Sequence, residues 1–180
     1  MINFITKYKN CPLCKLSQSR IQVVIGRGVV PAPLLITGEA PGEMEDLVGK
    51  PFVGRSGKLL DELLKDMGVK ENEYYITNTV LCRPPKNRNP EPDEIEVCRP
   101  RLIEHINIIN PKVILAVGTF AAQTLSNSKE KISQLRKNNE LKYENIPLVC
   151  TFHPSFSLRA GGKYNNDICF DILRATRWYW

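Results

Sequence analysis

Four short apolar runs alternate along this chain with segments of helical periodicity, and this alternation restricts the fold more than any other feature. The runs predict strands over residues 34–37, 74–81, 113–117 and 147–152. The periodic segments predict helices over residues 57–67, 95–109, 119–125 and 166–178. Strands joined through helices pair in parallel with right-handed crossovers. The sequence therefore predicts an α/β fold, with a mostly parallel sheet of these four strands and helices on both faces.

A cleft is expected where the carboxyl ends of the strands meet, because open parallel sheets bind ligands at that edge. The first strand runs into Gly38, which opens a sequence of turn-forming residues up to Gly42. Asn78, Gly118 and His153 lie at or near the ends of the other strands. The sequence thus predicts that a glycine-rich turn, an amide and an imidazole share one cleft.

Length and charge narrow the class of protein. The 180 residues fit one domain, taken as residues 1–180, and no apolar run approaches the roughly 20 residues of a membrane-spanning helix. The N-terminus is too polar for a secretion signal, so we expect a cytoplasmic protein with no membrane partner. The 25 Lys and Arg residues exceed the 19 Asp and Glu residues, and the net charge of +6 favours a polyanionic partner such as nucleic acid.

The cysteines raise the question of a metal site. The chain has six of them, at Cys11, Cys14, Cys82, Cys98, Cys150 and Cys169. The first two form a C-x2-C pair, and the next two lie at either end of a proline-rich loop. Spacing alone is equally compatible with zinc and with an iron–sulfur cluster, and unligated cysteines are a third reading. Cys150 and Cys169 have apolar neighbours and are expected to act as small hydrophobic side chains.

Ten segments, in this order, carry a resemblance to a known family. They are GEAPGEMED at 38–46, GKPFVGRSGKLL at 49–60, TN at 77–78, CRPP at 82–85, NRNP at 87–90, CRP at 98–100, VILAVG at 113–118, LR at 135–136, HPS at 153–155 and LR at 158–159. Each segment is weak evidence alone, but their order together with the cysteines is specific. Across nearly its whole length the chain resembles the family 4 uracil-DNA glycosylases, the iron–sulfur type.

The resemblance implies a cofactor, a reaction and a partner. The cofactor is a [4Fe-4S] cluster rather than zinc, held by Cys11, Cys14, Cys82 and Cys98 and holding the fold together. The reaction is base-excision repair by a monofunctional glycosylase, which hydrolyses the N-glycosidic bond of deoxyuridine to give uracil and an abasic site. The partner is uracil-containing DNA, single- or double-stranded, and the protein is expected to act as a monomer.

The chemistry of uracil assigns roles to three residues. The amide of Asn78 offers a donor and an acceptor, which match the O4 acceptor and N3–H donor of uracil and mismatch cytosine. By resemblance, Phe52 stacks on the flipped base. His153 is the best candidate for donating a hydrogen bond to uracil O2 as negative charge develops there, with its protonation state left open.

The acids near the predicted cleft have less distinct roles. Glu39, Glu45 and Asp46 are each placed to orient water or stabilise the cationic sugar, and Glu39 is preferred. Glu45 is also placed to crowd the C5 position, where thymine carries a methyl group. The catalytic prediction is therefore Glu39, Asn78 and His153, and the uracil-binding prediction is Gly38, Glu39, Ala40, Glu45, Phe52, Asn78 and His153.

Contacts to DNA are predicted on either side of this cleft. The candidates lie on the proline-rich loop and on the segment that begins with the His-Pro-Ser turn, namely Arg83, Lys86, Arg88, Ser155, Leu158 and Arg159. Lysine or arginine would hold phosphates, and Leu158 would wedge into the stack that the base leaves. The main rival hypothesis is a non-catalytic iron–sulfur module that binds nucleic acid or a polymerase.

Overall fold

A six-stranded mixed sheet forms the centre of the structure, a computed structural model that describes residues 1–180. The strands are β1 (Arg27–Gly28), β2 (Leu34–Gly38), β3 (Tyr74–Asn78), β4 (Val113–Val117), β5 (Lys142–Tyr143) and β6 (Ile146–Thr151). Their order across the sheet is β1-β3-β2-β4-β6-β5. The inner four pair in parallel, and β1 and β5 pair antiparallel at the two edges.

The four-stranded prediction thus omitted both edge strands. Each has two residues, too few to show a period, so the partner strand determines where it forms. The predicted strand at 74–81 also ends earlier, at Asn78. Beyond that residue, the Thr79 and Val80 N–H groups donate to the carbonyls of Gly38 and Glu39 instead of continuing the ladder.

Eight helices surround the sheet. They are α1 (Ile2–Tyr8), α2 (Glu43–Val48), α3 (Arg55–Asp66), α4 (Pro92–Ile109), α5 (Thr119–Ser126), α6 (Ile132–Leu135), α7 (Pro154–Arg159) and α8 (Asn165–Thr176). A Glu91–Glu94 capping box starts α4. The turn after α3 contains Gly68, whose φ of 76° suits the left-handed conformation that follows a helix. No helix has both the length and the apolar character needed to cross a bilayer.

The core has a layer on each face of the sheet because every residue of the inner strand β2 is buried. Leu34 and Ile36 pack with α3 and α8 on one face, and Leu35 packs with α4 and α5 on the other. This arrangement confirms the predicted α/β fold with helices on both faces. A third, smaller cluster joins the N-terminal segment to the chain that leaves β3, around Phe4, Leu16 and Leu81.

Candidate active site

The carboxyl ends of the four parallel strands open into a cleft of about 630 Å³. The strand-end residues that line it are Glu39 after β2, Asn78 at the end of β3, Gly118 after β4 and His153 after β6. Phe52, from the segment between α2 and α3, lines it as well. The structure therefore brings the predicted amide, imidazole, carboxylate and aromatic ring into one cavity.

Gly38 permits the close approach of two of these side chains. A Cβ atom at this position would lie 2.5 Å from Oδ1 of Asn78 and 2.6 Å from Cζ of Phe52. Phe52 itself has a left-handed φ of 55°, a strained conformation for an aromatic residue. Gly57 leaves room for it, since a Cβ there would lie 2.0 Å from the Phe52 carbonyl oxygen. Gly38 thus makes room for the Phe52 ring, and Gly57 for the Phe52 main chain.

The side-chain amide of Asn78 is buried but unused by the protein. The residue is 2% exposed, and its only hydrogen bond beyond the sheet is accepted by its main-chain carbonyl. Buried amides are normally hydrogen-bonded. An amide free in a cleft is therefore available to a ligand. Ala40 also lines the cleft, on the loop that leaves β2.

Glu45 holds the segment that carries Phe52. Its Oε1 accepts hydrogen bonds from the N–H groups of Val53 and Gly54, both at 3.0 Å, where α3 begins. The carboxylate thereby satisfies the N–H of the N-cap residue of that helix, near the positive end of its dipole. Glu45 lines the cleft while anchoring one of its walls.

The hydrogen bonds of His153 determine its tautomer. Nδ1 accepts from the main-chain N–H of Ser155 at 3.1 Å, and the Ser155 hydroxyl lies 2.7 Å from the same nitrogen. Nη1 of Arg159 donates to that hydroxyl at 3.4 Å, so the hydroxyl hydrogen is left to point at Nδ1. Because a main-chain N–H only donates, Nδ1 carries the lone pair and the ring proton is on Nε2. His153 thus presents a free Nε2–H donor.

His153 is also neutral. Burial, followed by the positive charge of Arg159, lowers its pKa to about 4, although Glu45 acts in the opposite direction. The imidazole packs across the cleft from Phe52, with the ring centroids 6.0 Å apart and the planes inclined by 29°. Gly118, with a φ of 90°, leaves room for it, since a Cβ there would lie 3.1 Å from Cβ of His153.

The three carboxylates near the cleft have different surroundings. Asp46 is buried and accepts hydrogen bonds from the N–H groups of Ile21 and Gln22. Glu45 accepts the two main-chain bonds described above. Glu39 accepts none, and burial raises its pKa to about 7. Of the three, Glu39 is the carboxylate free to take up a proton near neutral pH.

The predicted DNA-contacting residues divide into two groups. Arg88, Ser155 and Arg159 line the cleft. Arg83 and Lys86 lie outside it, on the loop that carries Arg88, and Leu158 lies outside it on α7. The Arg88 guanidinium already forms a bidentate ion pair with Glu94, at 2.9 and 2.6 Å. Its charge is therefore less available to a phosphate than those of Lys86 and Arg159, which have no carboxylate partner.

The four predicted ligand cysteines line one largely apolar pocket: Cys11, Cys14, Cys82 and Cys98. Two arginines face them, with Arg20 donating to Sγ of Cys82 and Arg101 to Sγ of Cys98, each at 3.4 Å. All other hydrogen bonds of these arginines go to main-chain carbonyls. No three His, Cys, Asp or Glu side chains are grouped closely enough to hold a single metal ion.

Comparison with known proteins agrees with this arrangement. A model of the Uracil DNA glycosylase superfamily matches residues 25–174. The chain belongs to this superfamily. The matched range begins just before β1 and ends within α8, so it includes the whole sheet and every strand end that lines the cleft.

Individual relatives place the chain in one branch of the superfamily. It is 42% identical to the type-4 uracil-DNA glycosylase of Thermotoga maritima over 154 residues, which cover 85% of this chain and 80% of that protein. It is 38% identical to the type-4 enzyme of Pyrobaculum aerophilum over 170 residues, covering 89% and 87%. The type-4 enzyme of Sulfurisphaera tokodaii is 41% identical over 157 residues, covering 83% and 71%. The resemblance read from the sequence is thus confirmed.

Sequence reasoning missed Arg101 in this type-4 glycosylase. The residue is 3% exposed and lies between the cysteine pocket and the end of β3. A signal was present in the sequence, because Arg101 shares an apolar helical face with Leu102, Ile106 and Ile109. An arginine on such a face needs a buried partner.

Proposed function

We propose that this chain is a monofunctional uracil-DNA glycosylase, which hydrolyses the N-glycosidic bond of deoxyuridine in DNA and leaves an abasic site. One observation carries the proposal. A buried carboxamide with no protein partner, on Asn78, shares a cleft with a neutral His153 whose free N–H is on Nε2. These groups match two separate requirements of uracil excision, which are recognition of the base and stabilisation of the departing anion.

Recognition begins with a base rotated out of the helix, because its glycosidic bond is inaccessible in the stack. Asn78 then donates to O4 and accepts from N3–H of uracil. Cytosine presents the reverse pattern, which leaves buried polar groups unpaired. Phe52, which like Asn78 lies close to Gly38, offers its ring as a stacking surface.

Bond cleavage puts negative charge on uracil O2 and positive charge on the sugar. The Nε2–H of His153 is fixed before the reaction by the two bonds at Nδ1. A preoriented donor in a buried site stabilises developing charge without reorganising. His153 acts as a neutral hydrogen-bond donor because its pKa of about 4 keeps it unprotonated at neutral pH.

Water attack on the sugar requires a base, and Glu39 is the proposed one. Its carboxylate is free of protein donors, lines the cleft and has its pKa raised to about 7 by burial. Glu45 is proposed to act indirectly, by holding Phe52, and Gly38 and Ala40 by shaping the turn. Asp46 is proposed to be structural.

Phosphates are proposed to bind at the rim of the cleft. Lys86 and Arg83 lie on the proline-rich loop, and Arg159 lies at the end of α7 next to Ser155. Leu158, exposed on the same helix, is the proposed wedge in the base stack. All of these residues belong to one chain, so we propose the monomer as the working unit on single- or double-stranded DNA.

The cysteine pocket is proposed to hold a [4Fe-4S] cluster. Each cysteine of such a cluster binds a different iron, so the sulfur atoms need not converge on one point as they do around zinc. Four thiolates around the cluster core leave a formal charge of about −2, which the half-buried Arg20 and the buried Arg101 would balance. The bound cluster would cross-link the N-terminal segment, the chain that leaves β3, and α4, which is a structural role.

A single-turnover assay tests the proposed reaction. The substrate is a fluorescent oligonucleotide with one deoxyuridine, in EDTA, and alkali is added after quenching to cleave abasic sites. We expect strand breaks only after alkali. In the Asn78→Ala variant the rate constant of uracil release should fall about 10⁴-fold, because the site relies on hydrogen bonds to the base. Asn87→Ala, another asparagine that lines the cleft, is the matched control and should retain most activity.

Two results would contradict this function. Wild-type protein that binds the oligonucleotide but releases no base would favour the non-catalytic binding module. Strand breaks that appear without alkali, in proportion to base release, would show that the enzyme is not monofunctional.

A further inference from the structure

Arg101 connects the cysteine pocket to the cleft. It lies on α4, one turn after Cys98, and is 3% exposed. Its Nη2 donates to the carbonyl of Thr79 at 2.5 Å, is 3.3 Å from the carbonyl of Asn78 and is 3.4 Å from Sγ of Cys98. One nitrogen therefore contacts the residue proposed to read the base, its neighbour in the chain and a proposed cluster ligand.

The main chain that Arg101 holds also positions Glu39. The N–H groups of Thr79 and Val80 donate to the carbonyls of Gly38 and Glu39, at 2.9 and 3.0 Å. The Thr79 hydroxyl donates to the same Glu39 carbonyl at 2.6 Å. The loop that carries the proposed base is thus attached to residues 78–80. A shift of that segment would move Asn78 and Glu39 together.

Burial of the Arg101 side chain costs free energy. Its Nε and Nη1 are buried without a protein partner, and it forms no ion pair with a carboxylate. A buried cation without a counter-charge destabilises a fold. An anionic group beside Cys98 would supply that counter-charge. The chemistry of the pocket, with four thiols facing two guanidinium groups, fits such a group.

We propose that Arg101 is a positioning residue for base excision. It clamps residues 78–80 and so holds Asn78 and Glu39 in register, while the anionic cysteine site holds Arg101 from the other side. The inference rests on the proposed function, and it gives the cysteine site an influence on catalysis without a step of chemistry there. Arg20 provides the contrast, because it contacts Cys82 and the Cys11 carbonyl but nothing in the cleft.

The test compares Arg101→Met with Arg20→Met, both purified with their iron. Iron content and visible absorbance report the state of the cysteine site. Single-turnover kinetics on the deoxyuridine oligonucleotide give a rate constant and an amplitude, and calorimetry gives the affinity for free uracil. We expect Arg101→Met to lower the rate constant about 100-fold, as a displacement of about 1 Å does, and to weaken uracil binding. Arg20→Met should lose iron faster to a chelator but keep its rate constant.

Kinetic amplitude separates positioning from folding. A variant that merely misfolds loses amplitude, because fewer molecules are active, while the remaining ones keep the wild-type rate constant. Arg101→Lys retains a cation that reaches one carbonyl, and it should restore part of the rate. Wild-type rate and uracil affinity in Arg101→Met would overturn the inference, as would an equal loss of rate in Arg20→Met. Absence of uracil release by the wild type would instead refute the proposed function, and the uracil affinities would still show whether Arg101 holds Asn78.

Discussion

At the scale of single residues, the hydrogen-bond donors around a carboxylate decide what it can do. Asp46 and Glu45 are occupied by main-chain N–H groups, whereas Glu39 lies in the cleft without a donor. Burial alone raises the pKa of Glu39 to about 7. A general base works best when its pKa lies close to the working pH, so the environment of Glu39 suits the role proposed for it.

The pH dependence of the rate tests this role. A base must be unprotonated, so the wild-type rate should fall about tenfold per pH unit below about 7 and level off above it. His153, with a pKa of about 4, adds no limb in the range from 5 to 8. In Glu39→Gln the rate should be lower and independent of pH over that range. An unchanged acid limb in the variant would assign the titration to another group.

The positions of the amide and the imidazole in the cleft could be predicted from the sequence because each lies at or after a strand end, and that of Phe52 followed from the resemblance. The sequence also favours Glu39 among the carboxylates, but it does not show the physical reason for that choice. The donors that occupy Glu45 and Asp46 come from Val53, Gly54, Ile21 and Gln22, and main-chain N–H groups leave no mark in a sequence. The tautomer of His153 was hidden for the same reason, since it depends on the N–H of Ser155.

At the scale of secondary-structure elements, α3 and the Phe52 segment depend on one carboxylate. Gly54 is the N-cap of α3 and has no side chain, and Glu45 accepts from its N–H and from that of Val53, just before the first turn. The same contact holds the main chain beside Phe52, whose φ of 55° is unfavourable without such support. Stability of the helix and shape of the cleft are therefore linked.

Removing this carboxylate should affect both properties. We expect Glu45→Ala to lower the free energy of unfolding by about 1–3 kcal/mol, the usual cost of leaving main-chain N–H groups without their acceptor, and to slow uracil release. Glu45→Gln keeps an acceptor oxygen and should recover much of the stability. The control is Glu43→Ala, which removes an exposed acid from α2, the helix that also carries Glu45. Thermal unfolding and single-turnover rates measure the two effects, and an Ala variant that melts like wild type would show that the bonds to Val53 and Gly54 do not stabilise the fold.

The inner strands and the long helices followed from apolar patterns because they bury whole faces. The edge strands β1 and β5 and the short helix α6 could not be predicted in this way, because their position depends on the elements against which they pack. Leu135 of α6, for example, is fully buried although the residues around it are polar. Short elements of this kind are specified by the partner surface rather than by their own period.

At the scale of the whole molecule, α4 carries three polar residues into the interior, namely Glu94, Arg101 and His105. The His105 ring stacks on Phe4, with centroids 4.4 Å apart, and meets Tyr75 edge-on at 5.2 Å. It therefore ties the N-terminal helix to the sheet. Neither ring nitrogen has a protein partner, and burial, followed by the charge of Arg101, lowers its pKa to about 3.

This pKa makes the stability of the fold depend on acid. The unfolded chain binds a proton at His105 near pH 6.5, whereas the folded chain resists it down to about 3, so stability is lost as pH falls through that window. His105→Phe keeps the stacking on Phe4 and removes the titration. The variant should be more stable relative to wild type at pH 5 than at pH 7.5, by about 2 kcal/mol in the free energy of unfolding or several degrees in melting temperature. Melting curves at both values measure the gain, and any pH slope left in the variant reports His153 and the carboxylates. A stability difference between the two proteins that stays constant across this range would show that His105 is not buried as a neutral ring.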